Sequence, residues 1–134
     1  MLESEMLSKG FSFLENNKQY KIVKQEVPFL SRCIDVILIN EYDEIISIEF
    51  KVSKWRHAIE QAKNHKLGAD KAYICLPERN ISEVLKKAVV DAGVGLFLFD
   101  SSKADVIYEA IPAPSQKENI PVFRNILLET INKV

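Results

Sequence analysis

Three charged residues stand inside two strongly apolar, β-branched runs of this chain. Asp35 lies in the run 32–40, and Glu49 and Lys51 lie in the run 44–52. Charged side chains are costly to bury unless they are paired or bind a metal ion. Two carboxylates can hold magnesium through their oxygens, and a nearby lysine can orient a water molecule or stabilise charge on a phosphate. These residue types therefore predict hydrolysis of a phosphodiester.

The spacing of the three residues predicts that they meet. The two apolar runs are typical of strands, and the short polar segment between them predicts a β-hairpin. If the hairpin is centred on Tyr42, Asp35 lies across from Glu49 with Cβ atoms roughly 5 Å apart. Side chains alternate along a strand, so Glu49 and Lys51 share a face. A slip of one residue would separate the groups. The alternative interpretation is a structural salt bridge among Asp35, Glu49 and Lys51.

The rest of the chain predicts the elements that must position this hairpin. Apolar periodicity and chain-breaking residues predict helices at 2–16, 54–67, 80–92 and 122–133, and strands at 19–27, 32–40, 44–52, 70–76, 94–99 and 104–110. We expect Pro28 to end the first strand, Ser53 to cap the second helix and Gly93 to end the third. Residues 111–121 should form a loop. The order predicts one α/β domain over residues 1–134, with a mixed central sheet flanked by helices.

Composition limits the function classes that need to be considered. The 134 residues are 47% apolar and 28% charged, as in an ordinary globular domain. A net charge of −1 argues against a broad basic surface for nucleic acid, although basic residues cluster between 54 and 71. No apolar run approaches the ~20 residues of a membrane span, and the first residues lack the order of a signal peptide. We therefore expect a cytoplasmic protein that does not contact a membrane.

The order αβββαβ over residues 1–77, with Asp35 and Glu49-Phe50-Lys51 on its hairpin, resembles the PD-(D/E)XK nuclease superfamily. The segment after Ile48 is similar to small uncharacterised prokaryotic proteins of that fold. The resemblance implies a restriction endonuclease-like core over 1–77 and a C-terminal α-β-β-α extension over 78–134. It also implies a metal site for Mg²⁺ (or Mn²⁺ in vitro) at the two carboxylates, a catalytic lysine, and nucleic acid, DNA in particular, as the substrate.

The superfamily also suggests supporting residues. The helix after the E-x-K strand often carries a glutamine four residues before an aromatic residue. Gln61 holds that place as a catalytic candidate, with His65 where a tyrosine is usual. A glutamate of the first helix is implied as a catalytic and metal-binding residue, and we favour Glu5, with Glu3 as the alternative. Glu26 on the neighbouring strand is a secondary candidate, as is His65.

The activity expected from the resemblance is that of a metal-dependent endonuclease or exonuclease. The alternative is a catalytically silent module on the same fold that binds nucleic acid or protein. A homodimer is a general expectation for small nucleases that cut both strands. The amphipathic helix at 122–133 is a candidate to dock either on another subunit or on its own core.

Overall fold

The computed structural model describes residues 1–115 and 119–133. The elements of these residues follow the predicted order. They are α1 (Glu3–Glu15), β1 (Tyr20–Phe29), β2 (Arg32–Asn40), β3 (Ile45–Phe50), α2 (Trp55–His65), β4 (Lys71–Pro77), α3 (Glu83–Asp91), β5 (Gly95–Asp100), β6 (Val106–Ile111) and α4 (Pro121–Lys133). Of the loop predicted at 111–121, residues 116–118 lie outside the described residues. No helix in the described part of the chain is long and apolar enough to cross a bilayer.

The described strands form one mixed sheet in chain order, from β1 to β6. The pairs β1–β2, β2–β3 and β5–β6 are antiparallel, whereas β3–β4 and β4–β5 are parallel. Parallel neighbours need a crossover connection, and α2 and α3 provide the two crossovers. The hairpin strands β2 and β3 therefore lie inside the sheet, as their two-sided apolar character predicts.

The β2–β3 register is the predicted one. Val36 pairs with Ile48, so the same register carried one residue further sets Asp35 opposite Glu49. The side chain of Asn40 holds the turn, because its Oδ1 accepts hydrogen bonds from two backbone amides of the turn at 3.0 and 2.9 Å. Local turn chemistry thus sets which side chains meet at the far end of the hairpin.

Side chains on the two faces of the sheet pack into separate hydrophobic cores. On one side, α1 packs on a cluster that includes Val36, Ile48 and Phe50. On the other side, α2 and α3 pack against β4 and β5, and α4 packs against β1 and β2. Glu49 alternates with Ile48 and Phe50, which face α1, so its side chain projects towards the side of the sheet that α2 covers. The alternation is interrupted at Asp35, because Ile34 belongs to the core beneath α4 and Val36 to the core beneath α1.

Gly10 sets how closely α1 approaches the sheet. A Cβ atom at this position would lie 2.8 Å from Cε2 of Phe50 and 2.9 Å from Cδ1 of Ile107. Only a residue without a side chain leaves both neighbours where they are. Because Phe50 directly follows Glu49, this close packing also holds the first turn of α1 near the end of β3.

Two predictions about element ends are wrong. β1 runs through Pro28 to Phe29, and Pro28 pairs with Cys33. Proline is tolerated there because β1 is at the edge of the sheet, where a missing N–H breaks no ladder. The N-cap of α2 is Lys54, with a left-handed φ of 54° and no side-chain cap, rather than Ser53. The chain therefore turns sharply between the E-x-K segment and α2.

The third helix is shorter than predicted but ends as expected. It begins at Glu83, because the hydroxyl of Ser82 accepts a hydrogen bond from the amide of Leu85 at 3.1 Å and caps the first turn. After its last turn comes Gly93, whose φ of 68° is the left-handed conformation common at helix ends.

Candidate active site

Asp35 and Glu49 are in direct contact. A hydrogen bond joins their carboxyl groups, and Oδ2 of Asp35 also accepts a hydrogen bond from the amide of Phe50 at 2.9 Å. Glu49 is only 6% exposed, whereas Asp35 is half-buried. The structure therefore brings together the two carboxylates that the sequence placed across the hairpin.

The electrostatics of this pair disfavour two charges. Burial raises the pKa of Glu49 to about 9, and the negative charge of Asp35 adds to the effect. Burial also raises the pKa of Asp35, although the hydrogen bond from Phe50 opposes that shift. Like charges this close cannot both ionise cheaply. At neutral pH the pair accordingly holds a proton, with the Glu49 carboxyl donating it to Asp35.

Lys51 lies beside the pair without closing a salt bridge. Its positive charge lowers the pKa of both Asp35 and Glu49, and its backbone amide donates to the carbonyl of Cys75 at 3.0 Å. Among the described residues, no ion pair joins Lys51 to either carboxylate. The structural salt bridge considered from the sequence is thus not formed, and the ammonium group remains near the carboxylates but not bound to them.

The first helix brings Glu3, rather than the favoured Glu5, to the site. Oε1 of Glu3 accepts a hydrogen bond from the amide of Val52 at 3.2 Å, and its charge raises the pKa of both site carboxyls. Glu5 is exposed, and at 3.6 residues per turn it lies about 160° around the helix from Glu3. Glu3 reaches the site because of the face that α1 turns towards the sheet. Met6 is buried on that face, and Glu3 lies one turn before Met6 on nearly the same face.

Glu26 is not brought to the carboxylate pair. It falls between the β1–β2 pairs Gln25–Val36 and Val27–Ile34, which would set it beside Asp35 in a regular ladder. Its φ of 51° is left-handed, however, which breaks the alternation of side chains at this point. The Glu26 side chain is exposed as a result.

Helix α2 carries Gln61 and His65 one turn apart, and it brings His65 to the buried side of the site. His65 is 6% exposed, and its Nε2 lies 3.9 Å from Oε2 of Glu49. Burial lowers the pKa of His65 to about 4, so the imidazole is neutral at pH 7. The proximity expected from helical spacing is therefore present for His65, which the sequence marks as a secondary candidate.

Three buried polar atoms in this region have no hydrogen-bond partner within the described chain: Oε2 of Glu49, Oε1 of Gln61 and Nδ1 of His65. A buried polar atom without a partner costs about 1–3 kcal/mol. Natural proteins keep few such atoms. Ordered water or a ligand is what normally satisfies such atoms in a folded protein.

The donors fit an open cation site better than a closed one. In the part of the chain that the structure describes, no group of three or more His, Cys, Asp or Glu side chains is arranged to enclose a metal. Magnesium is usually held by one or two carboxylates, with water and substrate phosphates completing its shell. Asp35 and Glu49, with the free Oε2 of Glu49, suit a site of that kind.

Comparison with known proteins gives the fold. No family model matches the chain, and no curated protein matches it in sequence. A protein of unknown function from Silicibacter pomeroyi superimposes with a TM-score of 0.66 at 19% identity, over 99% of this chain and 86% of its own. A repair endonuclease from Pyrococcus abyssi superimposes with a TM-score of 0.54 at 20% identity, over 72% of this chain. The chain has the restriction endonuclease-like fold.

Within the restriction endonuclease-like fold, the likeness to the repair endonuclease is partial. This chain spans 46% of the length of that protein. The fold prediction made from the αβββαβ order is confirmed, and the carboxylate pair lies on its central hairpin.

Proposed function

We propose that this protein is a metal-dependent phosphodiester hydrolase of the PD-(D/E)XK type that acts on DNA. The observation that carries the proposal is the buried carboxyl of Glu49, which touches Asp35, has a pKa raised to about 9 and keeps an unpartnered oxygen. Such a group costs folding free energy without improving the core. A divalent cation would neutralise the negative charge of both carboxylates at once, and this would offset the cost of burying them together.

Each residue then has a distinct role. Asp35 and Glu49 hold Mg²⁺, or Mn²⁺ in vitro. When bound, the ion supplies Lewis acidity for the phosphate and lowers the pKa of a bound water. Lys51, which is near both carboxylates but not paired with them, stabilises the negative charge that develops on the phosphate. Glu3 braces the chain after β3 through the amide of Val52, and Gln61 positions the reacting groups from α2.

The surface beside Lys51 suits a phosphate backbone. Lys54, Arg56 and His57 are exposed at the start of α2, and the Arg56 guanidinium lies 4.4 Å from the centroid of the Trp55 ring. Clustered cations gain affinity for nucleic acid by releasing counterions from the phosphates. A local patch of this kind is compatible with the net charge of −1. The likeness in fold to a repair endonuclease favours DNA as the polymer.

The direct test is cleavage of plasmid, branched and single-stranded DNA, and of RNA, with Mg²⁺ or Mn²⁺ and with EDTA. We expect metal-dependent cleavage that falls about 100-fold or more in Asp35→Asn and Lys51→Ala. Lys86→Ala is the matched control, because it removes an exposed lysine from α3, a helix with no part in the proposed site. If the wild type cleaves and Lys51→Ala cleaves equally well, the site is assigned wrongly.

The alternative function, a catalytically silent binding module, predicts a different result in the same experiment. Such a protein would cleave none of these substrates with either metal, yet it would still bind one of them. Calorimetry with Mg²⁺ then decides between the two functions. No heat of metal binding at millimolar concentrations, together with no cleavage, overturns the hydrolase.

A further inference from the structure

A small cavity opens next to the carboxylate pair, between the β1–β2 turn and the second half of α2. Its volume is ≈ 100 Å³. Phe29 and Leu67 give it an apolar wall, Gln61 and Asn64 give it two side-chain amides, and His65 closes its inner end. Pockets that enclose a whole small molecule are about 300–1,000 Å³. This one is large enough for little more than a single ring system.

His65 connects the cavity to the carboxylate pair. Its side chain is 7% exposed, its Nε2 faces Glu49, and its Nδ1 has no partner within the described chain. Oε1 of Gln61, one turn away on the same helix, is also buried and unpartnered. An imidazole nitrogen can donate or accept according to its tautomer, and an amide oxygen accepts. Two unsatisfied hydrogen-bonding atoms therefore lie buried beside the cavity, whose own lining offers the side-chain amide of Asn64 and apolar surface.

The turn at the mouth of the cavity contains a residue with an unfavourable backbone conformation. Leu30, which lines the mouth, is 55% exposed and has a left-handed φ of 56°. The two-residue turn between β1 and β2 calls for a positive φ, which is unfavourable for a leucine and easy for a glycine or asparagine. Strain of this sort persists where the surrounding structure over-determines it, and it clusters at ligand sites. The neighbouring Arg32 is exposed and has the planar, permanently charged group that suits a phosphate.

We propose that this cavity binds the unpaired base of a nucleotide adjacent to the scissile phosphate. A nucleobase matches the lining of the cavity: it has a flat apolar face for Phe29 and Leu30, and a polar edge for the side-chain amide of Asn64. Proteins read unstacked bases by this combination of stacking and edge hydrogen bonds. A base inside a duplex hides both its face and its edge. The substrates are therefore DNA with single-stranded or extrudable nucleotides, not continuous duplex.

This inference rests on the proposed function for the position of the phosphate, but its test does not require cleavage. ¹⁵N-labelled protein in EDTA is titrated with each of the four deoxynucleoside monophosphates and, separately, with 2-deoxyribose 5-phosphate. We expect at least one nucleotide to shift the backbone amides of Ser31, Arg32 and Asn64 in a saturable way, and the base-free sugar phosphate to leave them unmoved. Equal shifts from the sugar phosphate, or none from any nucleotide up to 20 mM (roughly the weakest end of useful affinity), overturn the base pocket.

A matched pair of variants locates the binding. Asn64 is the penultimate residue of α2, and Asn132 is the penultimate residue of α4; both are exposed. Asn64→Ala should weaken nucleotide binding about threefold or more, whereas Asn132→Ala should not change it. Alanine is the best helix former, so neither substitution endangers its helix. Equal affinity in both variants would contradict the pocket.

Cleavage separates the two proposals. If the protein cuts DNA with metal but no nucleotide shifts the cavity amides, the base pocket is wrong and the hydrolase stands. If nucleotides bind in the cavity and nothing is cut, the base pocket stands and the hydrolase is wrong. If both hold, a duplex with one unpaired nucleotide should be cut at least tenfold faster than the fully matched duplex, and equal rates would overturn the pocket's role in substrate choice.

Discussion

Nε2 of His65 lies 3.9 Å from Oε2 of Glu49, yet the two do not form a charged pair at neutral pH. Burial lowers the pKa of His65 to about 4 and raises that of Glu49 to about 9. Between these values both side chains are neutral, because each loses more on leaving water than it gains from the other. Glu49 and His65 are therefore buried and uncharged hydrogen-bonding groups at neutral pH, beside the charged groups of Asp35 and Lys51.

The first prediction concerns the stability of the metal-free protein. Because the pKa of Glu49 rises from an ordinary 4.5 to about 9, the folded state binds more protons than the unfolded state between these values. The free energy of unfolding therefore falls as pH rises through that window. Glu49→Gln cannot ionise, so its free energy of unfolding should not show this fall. Between pH 5 and pH 9 the free energy of unfolding of the wild type should therefore drop relative to that of Glu49→Gln by at least about 1.4 kcal/mol, which is the equivalent of one pKa unit.

Urea unfolding in EDTA at several pH values measures this difference. Glu5→Gln, which removes an exposed carboxylate, gives the baseline for loss of a surface charge. Parallel pH profiles for wild type and Glu49→Gln would show that Glu49 ionises normally.

A second prediction concerns metal binding itself. A ligand that binds only the folded state stabilises it by RT ln(1 + [L]/Kd), about 1.4 kcal/mol at ten times the Kd. Mg²⁺ should then raise the Tm of the wild type by about 3–8 °C, as expected for a domain of this size. Asp35→Asn and Glu49→Gln should lose the rise, although Glu49→Gln starts from a more stable metal-free state. A Tm rise of equal size in both variants would locate the metal elsewhere.

The choice between the two first-turn glutamates gives a third prediction. Glu3→Gln and Glu5→Gln each remove one negative charge near the N-terminus of α1, so they lose the same favourable helix-dipole interaction. Only Glu3 is close enough to act on Asp35 and Glu49. Glu3→Gln should lower metal-dependent cleavage about threefold or more, and Glu5→Gln should leave it unchanged. Measured rates in the opposite order would restore Glu5 as the helix residue of the site.

Gly10 supplies a fourth prediction, in which two effects compete. Alanine favours the helix over glycine by about 1 kcal/mol. Its Cβ would, however, lie 2.8 Å from Phe50 and 2.9 Å from Ile107, and overpacking of this kind costs about 1–3 kcal/mol. We expect Gly10→Ala to be net destabilising by up to about 2 kcal/mol in chemical unfolding, and to reduce cleavage because α1 carries Glu3.

Ser8→Ala is the control for helix propensity, since Ser8 is exposed on the same helix. It should be neutral or slightly stabilising. A stabilised Gly10→Ala would mean that Phe50 and Ile107 move aside without loss of packing.

The sequence by itself determined the element types and their order, because apolar alternation and helical periodicity are local patterns. It set Asp35 across from Glu49 only on the assumption that the hairpin is centred on Tyr42, since a slip of one residue leaves the same local pattern but separates the two groups. The pairing of Val36 with Ile48 in the folded protein fixes that register.

Tertiary packing decided the remaining features. Which glutamate of α1 serves the site depends on how that helix docks on Phe50. The C-terminal helix packs on its own chain, where Arg124 binds both carboxylate oxygens of Asp70 at 3.0 Å. Cys33 lies in the apolar run 32–40, which predicts a central strand, yet it is exposed because it stands at the start of β2, next to the turn from β1.

The raised pKa of Glu49, the neutral His65 and the cavity beside them arise where β1, β3 and α2 meet. Burial and unsatisfied hydrogen bonds are properties of such a meeting of distant segments, and no local pattern encodes them. The sequence therefore determined which chemical groups approach one another. Only the folded protein decided how much water each of them loses, and that loss is what shifts the pKa values of Glu49 and His65.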